Sequence, residues 1–117
     1  MQLSNSPEIT DEEMAAAKAA APNKKRFEKV ITAAGPIILC NPSRAQDNAA
    51  KAVMGEGSIA DLARGVEALF LSCCVIPSQA EVTQMIAEDW PALARDPAVQ
   101  KAVNRLSGAS RDEFAKT

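Results

Sequence analysis

Residues 27–40 read FEKVITAAGPIILC. This stretch predicts that the fold is not all-helical. Two runs of large apolar and β-branched residues, 27–32 and 36–40, flank Ala33-Ala34-Gly35, which is turn material. Such runs joined by a short turn with glycine are typical of a β-hairpin. Because an isolated hairpin is marginal in water, we expect its apolar side to pack on helices or its edge to accept a partner strand.

Helical signals surround the hairpin on both sides. Thr10 followed by Glu13 forms a capping box that opens a helix rich in alanine, and Pro22 ends it. The apolar face of that helix is almost entirely alanine, so we expect it to dock only weakly. Cap residues and apolar periodicity predict four further helices, at about 44–53, 59–75, 79–89 and 97–107.

The stretch 59–75 carries the clearest helical pattern of the chain. Apolar residues recur there at the spacing of one helix face, namely Ile59, Leu62, Ala63, Val66, Leu69, Phe70 and Cys73. Leu71, Cys74 and Val75 widen the stripe toward its C-terminal end. We expect this helix to be the central element of the core, with that end buried on most sides.

These elements together predict an α+β fold. We expect a mostly helical single domain over residues 10–108, with one N-terminal β-hairpin packed on a helical bundle. The polar ends, 1–9 and 109–117, are predicted to be flexible. A length of 117 residues fits one domain with its own core.

Charge and hydropathy restrict the classes of function. The net charge of −2 lacks the basic excess that phosphate contacts require, which argues against nucleic-acid binding. No run of apolar residues approaches the length of a membrane-spanning helix. The first residues lack the basic start and apolar run of a secretion signal. We therefore expect a cytoplasmic protein that binds neither nucleic acid nor membrane.

Side chains for catalysis are sparse. The chain has no histidine, which removes the usual general base and the histidine-activated nucleophiles. Its three cysteines, Cys40, Cys73 and Cys74, are too few for a zinc site built from thiolates alone. Cys40 precedes a helix start that would lower its pKa if it were reactive, but burial as a small core residue is the simpler interpretation. We expect no enzyme, cofactor or metal.

Trp90 is the only tryptophan, and it stands at a predicted helix break beside Pro91. Tryptophan is enriched among the residues that anchor protein–protein interfaces, so Trp90 and the nearby Leu93 are candidate partner-binding residues. The alternative is that the ring covers the small core formed by the C-terminal helices. The sequence leaves both interpretations open.

The region from the hairpin onward, 27–108, resembles the small tail-assembly chaperones of long-tailed bacteriophages. Four features carry the resemblance: the hairpin end and helix start IILCNPSR at 37–44, the end of the long helix at 74–78, the step WPAL at 90–93, and the close of the last helix at 106–108. The alanine-rich N-terminal helix lies outside this pattern.

The resemblance implies a protein-binding role in the cytoplasm of a bacterial host cell. Members of that family bind the long coiled-coil tape-measure protein and keep it soluble while the tail tube polymerises around it. No binding residue transfers from the family to a numbered position here. Two alternatives stay open: a structural phage or virion subunit that forms homo-oligomers, and a small regulatory protein with an unrelated protein partner.

Overall fold

The computed structural model describes residues 2–55 and 58–108. Its helices are α1 (Asp11–Ala20), α2 (Arg44–Met54), α3 (Ile59–Cys73), α4 (Gln79–Glu88) and α5 (Pro97–Leu106), with a short 3-10 turn at Leu93–Arg95 before α5. Its strands are β1 (Phe27–Thr32), β2 (Gly35–Cys40) and β3 (Cys74–Ile76). The predicted α+β class, with a hairpin packed on helices, is confirmed.

Side-chain caps set where the helices begin. Each helix is preceded by a residue whose side-chain oxygen accepts a backbone N–H of the first turn, and these residues are Thr10, Ser43, Ser58, Ser78 and Asp96. The first amides of a helix have no partner within the helix, so such an acceptor fixes the start. All five predicted helix starts are therefore confirmed.

The sheet has three antiparallel strands in the order β1-β2-β3. Thr32 pairs with Gly35, which leaves a two-residue turn, and Gly35 itself adopts φ 110°, a conformation that favours glycine. The prediction that the long helix continues to residue 75 is wrong, because residues 74–76 form β3. Val75 and Ile76 are β-branched, and Pro77 disfavours a helical conformation in the residue before it.

Both faces of the sheet are covered. Val30, Ile37 and Leu39 face the larger core, which is completed by buried residues of the helices and the 3-10 turn, Phe70, Cys73, Val82, Leu93, Val99, Ala102, Val103 and Leu106 among them. Ile38 and Cys40 face a smaller cluster on the other side. Because neighbouring side chains on a strand point to opposite faces, the four residues 37–40 are all buried.

The N-terminal segment and α1 cover the second face of the sheet. Leu3 and Ile9 pack against the smaller cluster, and Ala17 of α1 is fully buried in it. The Ser4 backbone N–H also donates to the Glu13 carboxylate at 2.8 Å. We predicted a flexible segment at 1–9; its flexibility stays a prediction, but residues 2–9 contact the domain. Met1 and the predicted flexible tail 109–117 lie outside the described residues.

The two halves of α3 differ in burial. Leu69 and Phe70 are buried in the core as predicted, but Ile59 and Leu62, which belong to the same predicted stripe, are exposed. In the middle of the helix, Gly65 allows a close approach of α2, because a Cβ atom there would stand 2.8 Å from the Ala50 carbonyl oxygen.

Candidate protein-binding surface

The first turns of α3 present large apolar side chains to solvent. Ile59 is 88% exposed and Leu62 is 51% exposed, values unusual for residues of this size and type. Residues three or four apart lie on the same face of a helix, so Ile59, Leu62 and the half-buried Ala63 form one exposed patch. Burying a leucine or isoleucine side chain is worth about 1.5–3 kcal/mol, and neither of the two large side chains gains that here.

The local sequence sets where α3 begins. The Ser58 hydroxyl accepts the Asp61 backbone N–H at 3.0 Å, which places the helix start at Ile59. Asp61 in turn pairs with Arg64 on the helix surface. The first turn of α3 therefore carries Ile59 and Leu62 outside the core.

A hollow of about 140 Å³ connects this patch to the 3-10 turn. It lies between α3 and the segment after α4, and it is lined by Ala63, Arg64, Glu67, Pro91, Ala94 and Arg95. Ala63 stands one helical turn after Ile59. The exposed patch of α3 therefore continues across the hollow to Pro91.

Trp90 borders a second hollow of about 420 Å³. The Trp90 residue is 41% exposed. This hollow is lined mainly by apolar groups, with Ala33 from the hairpin turn on one side and Pro91, Ala92 and Pro97 on the other. The Trp90 backbone N–H donates to the Met85 carbonyl oxygen at 2.8 Å, which fixes the residue at the end of α4. Trp90 is therefore a partly exposed residue of the turn that follows α4.

Pro91 lines both hollows, so the two exposed regions are continuous. We call the surface formed by Ile59, Leu62, Ala63, Pro91 and Trp90 the apolar band. Charged residues of both signs lie along it, namely Arg64, Glu67, Asp89, Arg95 and Asp96. An apolar centre with a polar rim is the usual composition of a protein–protein interface.

The two partner-binding candidates from the sequence, Trp90 and Leu93, line the same hollow. Trp90 is exposed and contributes to the apolar band, whereas Leu93 is only 5% exposed and packs in the larger core. The side chain of Leu93 therefore contributes mainly to the core. Ile59 and Leu62 were missed as binding candidates, because the periodic pattern of an exposed apolar face is the same as that of a buried one.

A buried ion pair lies on the opposite side of the sheet. The Lys29 ammonium donates to both carboxylate oxygens of Glu13, at 2.8 and 3.0 Å, and both side chains are almost completely buried. The hydrogen bond from Lys29, with those from the Thr10 and Ser4 amides, lowers the pKa of Glu13 from 4.5 to about 2. The predicted capping box of Thr10 and Glu13 is present, whereas the pairing of Glu13 with Lys29 was not predicted from the sequence.

The cysteines are in environments that suppress thiolate chemistry. Cys40 and Cys73 are buried free thiols. Burial raises the pKa of Cys40 and raises that of Cys73 to about 12. A reactive cysteine needs a lowered pKa, so the environment of Cys40 opposes the hypothesis that the nearby helix start activates it.

The described residues hold neither a grouping of metal ligands nor a membrane-spanning helix. Within 2–55 and 58–108, no three His, Cys, Asp or Glu side chains are grouped so that they could hold a metal ion. In that part of the chain, no helix combines the length and the apolar character that crossing a membrane requires. Comparisons with protein families, curated proteins and solved structures found no match to this chain.

Proposed function

We propose that this protein is a protein-binding assembly factor whose apolar band binds an amphipathic helix of a client protein. The observation that carries the proposal is the exposure of Ile59 and Leu62 on a helix whose C-terminal half is buried. A contiguous exposed apolar patch on a protein marks a surface that associates with something else. Trp90 at the other end of the band supplies the large aromatic anchor that such interfaces favour.

The shape of the band favours a helical client over a small molecule. Its two hollows are open to solvent, and three of its apolar residues, Ile59, Leu62 and Ala63, lie along one face of α3. A client helix with apolar residues at every third or fourth position would lay one face along Ile59, Leu62 and Trp90, which is a common mode of peptide recognition. The charges beside the band would contact the polar flanks of that helix.

The proposed client is a long coiled-coil protein, such as the tape-measure protein that the resemblance to tail-assembly chaperones implies. Before assembly, a coiled-coil sequence exposes apolar residues along a seam, and a factor that covers part of that seam prevents aggregation. In this role the protein acts in the host cytoplasm and contacts another protein rather than nucleic acid or membrane. The role needs no catalytic step and no cofactor.

A tagged pull-down tests the proposal. Tagged wild type is incubated with lysate of the native host, with and without induced prophage, and captured proteins are identified by mass spectrometry. We expect a long, coiled-coil-rich protein from induced cells. The double variant Ile59→Ser/Leu62→Ser should lose it, whereas Ile31→Ser should retain it. Ile31 is a matched control because it is also apolar and 41% exposed but lies outside the band.

The same experiment separates the main alternative. Recovery of the bait alone, together with a defined oligomer by light scattering that the double variant abolishes, would contradict the client-binding proposal. That result would indicate that the apolar band joins copies of the chain, as in a structural subunit. Capture of the same protein by wild type and double variant would place binding elsewhere on the molecule.

A further inference from the structure

β1 forms an open edge of the sheet. Within residues 2–55 and 58–108, β2 is its only neighbouring strand, and the Asn41 backbone N–H donates to the Arg26 carbonyl oxygen just before the strand begins. Pairs along an antiparallel ladder alternate between hydrogen-bonded and non-bonded. Every second residue of β1 therefore turns its N–H and C=O groups away from β2, namely Phe27, Lys29 and Ile31.

The backbone along this edge is accessible. In the described part of the chain, the outward groups of these three residues have no backbone hydrogen-bond partner outside the sheet. Lys29 as a residue is partly exposed although its side chain is 0% exposed, so its accessible surface belongs to the main chain. Ile31 is 41% exposed beside it. An extended segment could therefore pair with this row of free backbone groups.

The two edges of the sheet differ in their protection against strand addition. β3 has three residues, its pairing with β2 is irregular, and Pro77 follows it, all of which discourage a further strand. β1 has six residues in regular register and contains neither proline nor glycine. A lysine on an edge strand usually guards it, but the Lys29 ammonium is directed into the buried pair with Glu13. The β1 edge is thus the one that admits another strand.

A basic cluster, Lys24, Lys25 and Arg26, stands directly before this edge. Among the ion pairs of the described residues, none involves these three cations. The acidic residue of β1, Glu28, is already paired with Arg105 at 2.6 Å. Since the whole chain carries a net charge of −2, the local positive excess is specific to this end of the edge. Acidic residues on an incoming strand would complement it.

We propose that the β1 edge binds an extended segment of a partner protein that carries acidic residues at one end. The segment adds a strand to the sheet, and its backbone pairs with the outward groups of β1. In the antiparallel arrangement, which is the more stable one, its C-terminal acidic residues lie beside the basic cluster and an apolar residue upstream packs on Ile31. The site shares no residue with the apolar band.

A capped synthetic peptide of alternating threonine and valine that ends in three glutamates tests the site. Binding to the full chain is measured by fluorescence anisotropy and located by NMR amide shifts. We expect the largest shifts at Phe27, Lys29 and Ile31, and slower solvent exchange of their amides. Two further peptides are N-methylated at alternate residues. Only one of them keeps the N–H donors that face β1, so one should bind and the other should not.

Charge variants test the acidic end. Lys25→Glu should weaken peptide binding about fivefold, as the loss of an exposed ion pair predicts, and a peptide with lysines in place of the glutamates should be weakened similarly. Lys101→Glu changes the same charge on an exposed lysine of α5 outside the basic cluster and should leave the affinity unchanged. Ile59→Ser/Leu62→Ser should also bind normally, so failure of this proposal is distinguishable from failure of client binding at the apolar band.

Three results would overturn the proposal. The first is a glutamate peptide that causes no shifts in β1, and the second is equal binding of the two N-methylated peptides. The third is a set of shifts at Phe27, Lys29 and Ile31 that depends on protein concentration in the absence of peptide. That result would identify a second copy of the chain as the occupant of the edge.

Discussion

One face of the sheet is covered by residues 2–20, which we call the N-terminal arm, whereas the apolar band is exposed to solvent. The arm is poor in large apolar residues, with Ala17 as its one completely buried side chain, yet it packs on the sheet. The first turns of α3 carry Ile59 and Leu62, which are far more apolar, yet they stay open. Hydrophobicity alone therefore does not decide what is buried, and the weakly apolar face is closed with a specific buried ion pair between Glu13 and Lys29.

The largest expected loss of stability comes from breaking the buried ion pair between Glu13 and Lys29. Glu13→Ala leaves the buried Lys29 ammonium without its charged partner, which is much more damaging than removing both charges together. We expect a large fall in the urea midpoint and rapid proteolysis within residues 2–24. The double variant Glu13→Gln/Lys29→Met should recover much of the loss. Equal midpoints for the single and double variants would contradict a buried, coupled pair.

A smaller loss is expected at the close contact between α2 and α3 at Gly65. In Gly65→Val, the new Cβ would lie 2.8 Å from the Ala50 carbonyl oxygen, so α2 and α3 must separate. Forcing extra atoms into a packed contact costs about 1–3 kcal/mol, measurable by chemical denaturation. Gly55→Ala is the control: its Cβ would meet only ordinary contacts at 3.4 and 3.5 Å, so little change is expected.

The free energy of unfolding should depend on pH through the Glu13 carboxyl group. The pKa of Glu13 is 4.5 in its ordinary state and about 2 in the folded protein, so the unfolded chain binds more protons between these values. Stability from this group is complete above about pH 4.5 and is lost as the pH falls toward 2. Urea midpoints measured across this window should fall more steeply for wild type than for Glu13→Gln. Parallel slopes would contradict the lowered pKa.

The smallest effect on stability is expected at the apolar band itself. Ile59→Ser removes an apolar side chain that is already 88% exposed, so the free energy of unfolding should change by no more than about 0.5 kcal/mol. A loss as large as that of a core residue would show that Ile59 is covered in solution, for example by a second copy. Thermal unfolding at several protein concentrations distinguishes the two results.

Local chemistry made much of the fold predictable from the sequence. The caps at Thr10, Ser43 and Ser58 act on neighbouring residues, so the helix starts could be identified without knowledge of the tertiary structure. The hairpin followed from the runs on either side of its turn. The third strand was missed because residues 74–76 continue an apolar helical pattern, and only pairing with β2 makes them a strand.

The candidate site was less predictable, since it depends on long-range packing. Ile59 and Phe70 belong to the same periodic stripe, and nothing in the pattern distinguishes the exposed residue from the buried one. The difference depends on tertiary packing, since Phe70 lies within the larger core and the first turn of α3 lies outside it. Likewise, Glu13, the partner of Lys29, lies 16 residues away in α1, so the ion pair could not be identified from local spacing.

Hydrogen exchange of the wild-type protein, alone and with the captured client, tests the central claim most directly. If the apolar band binds a client helix, added protection should appear in residues 58–64 and 89–93. Residues 11–20 and 27–32 on the sheet side should exchange as in the free protein. Protection confined to the sheet side, with the band unchanged, would contradict the assignment of the apolar band as the client-binding surface.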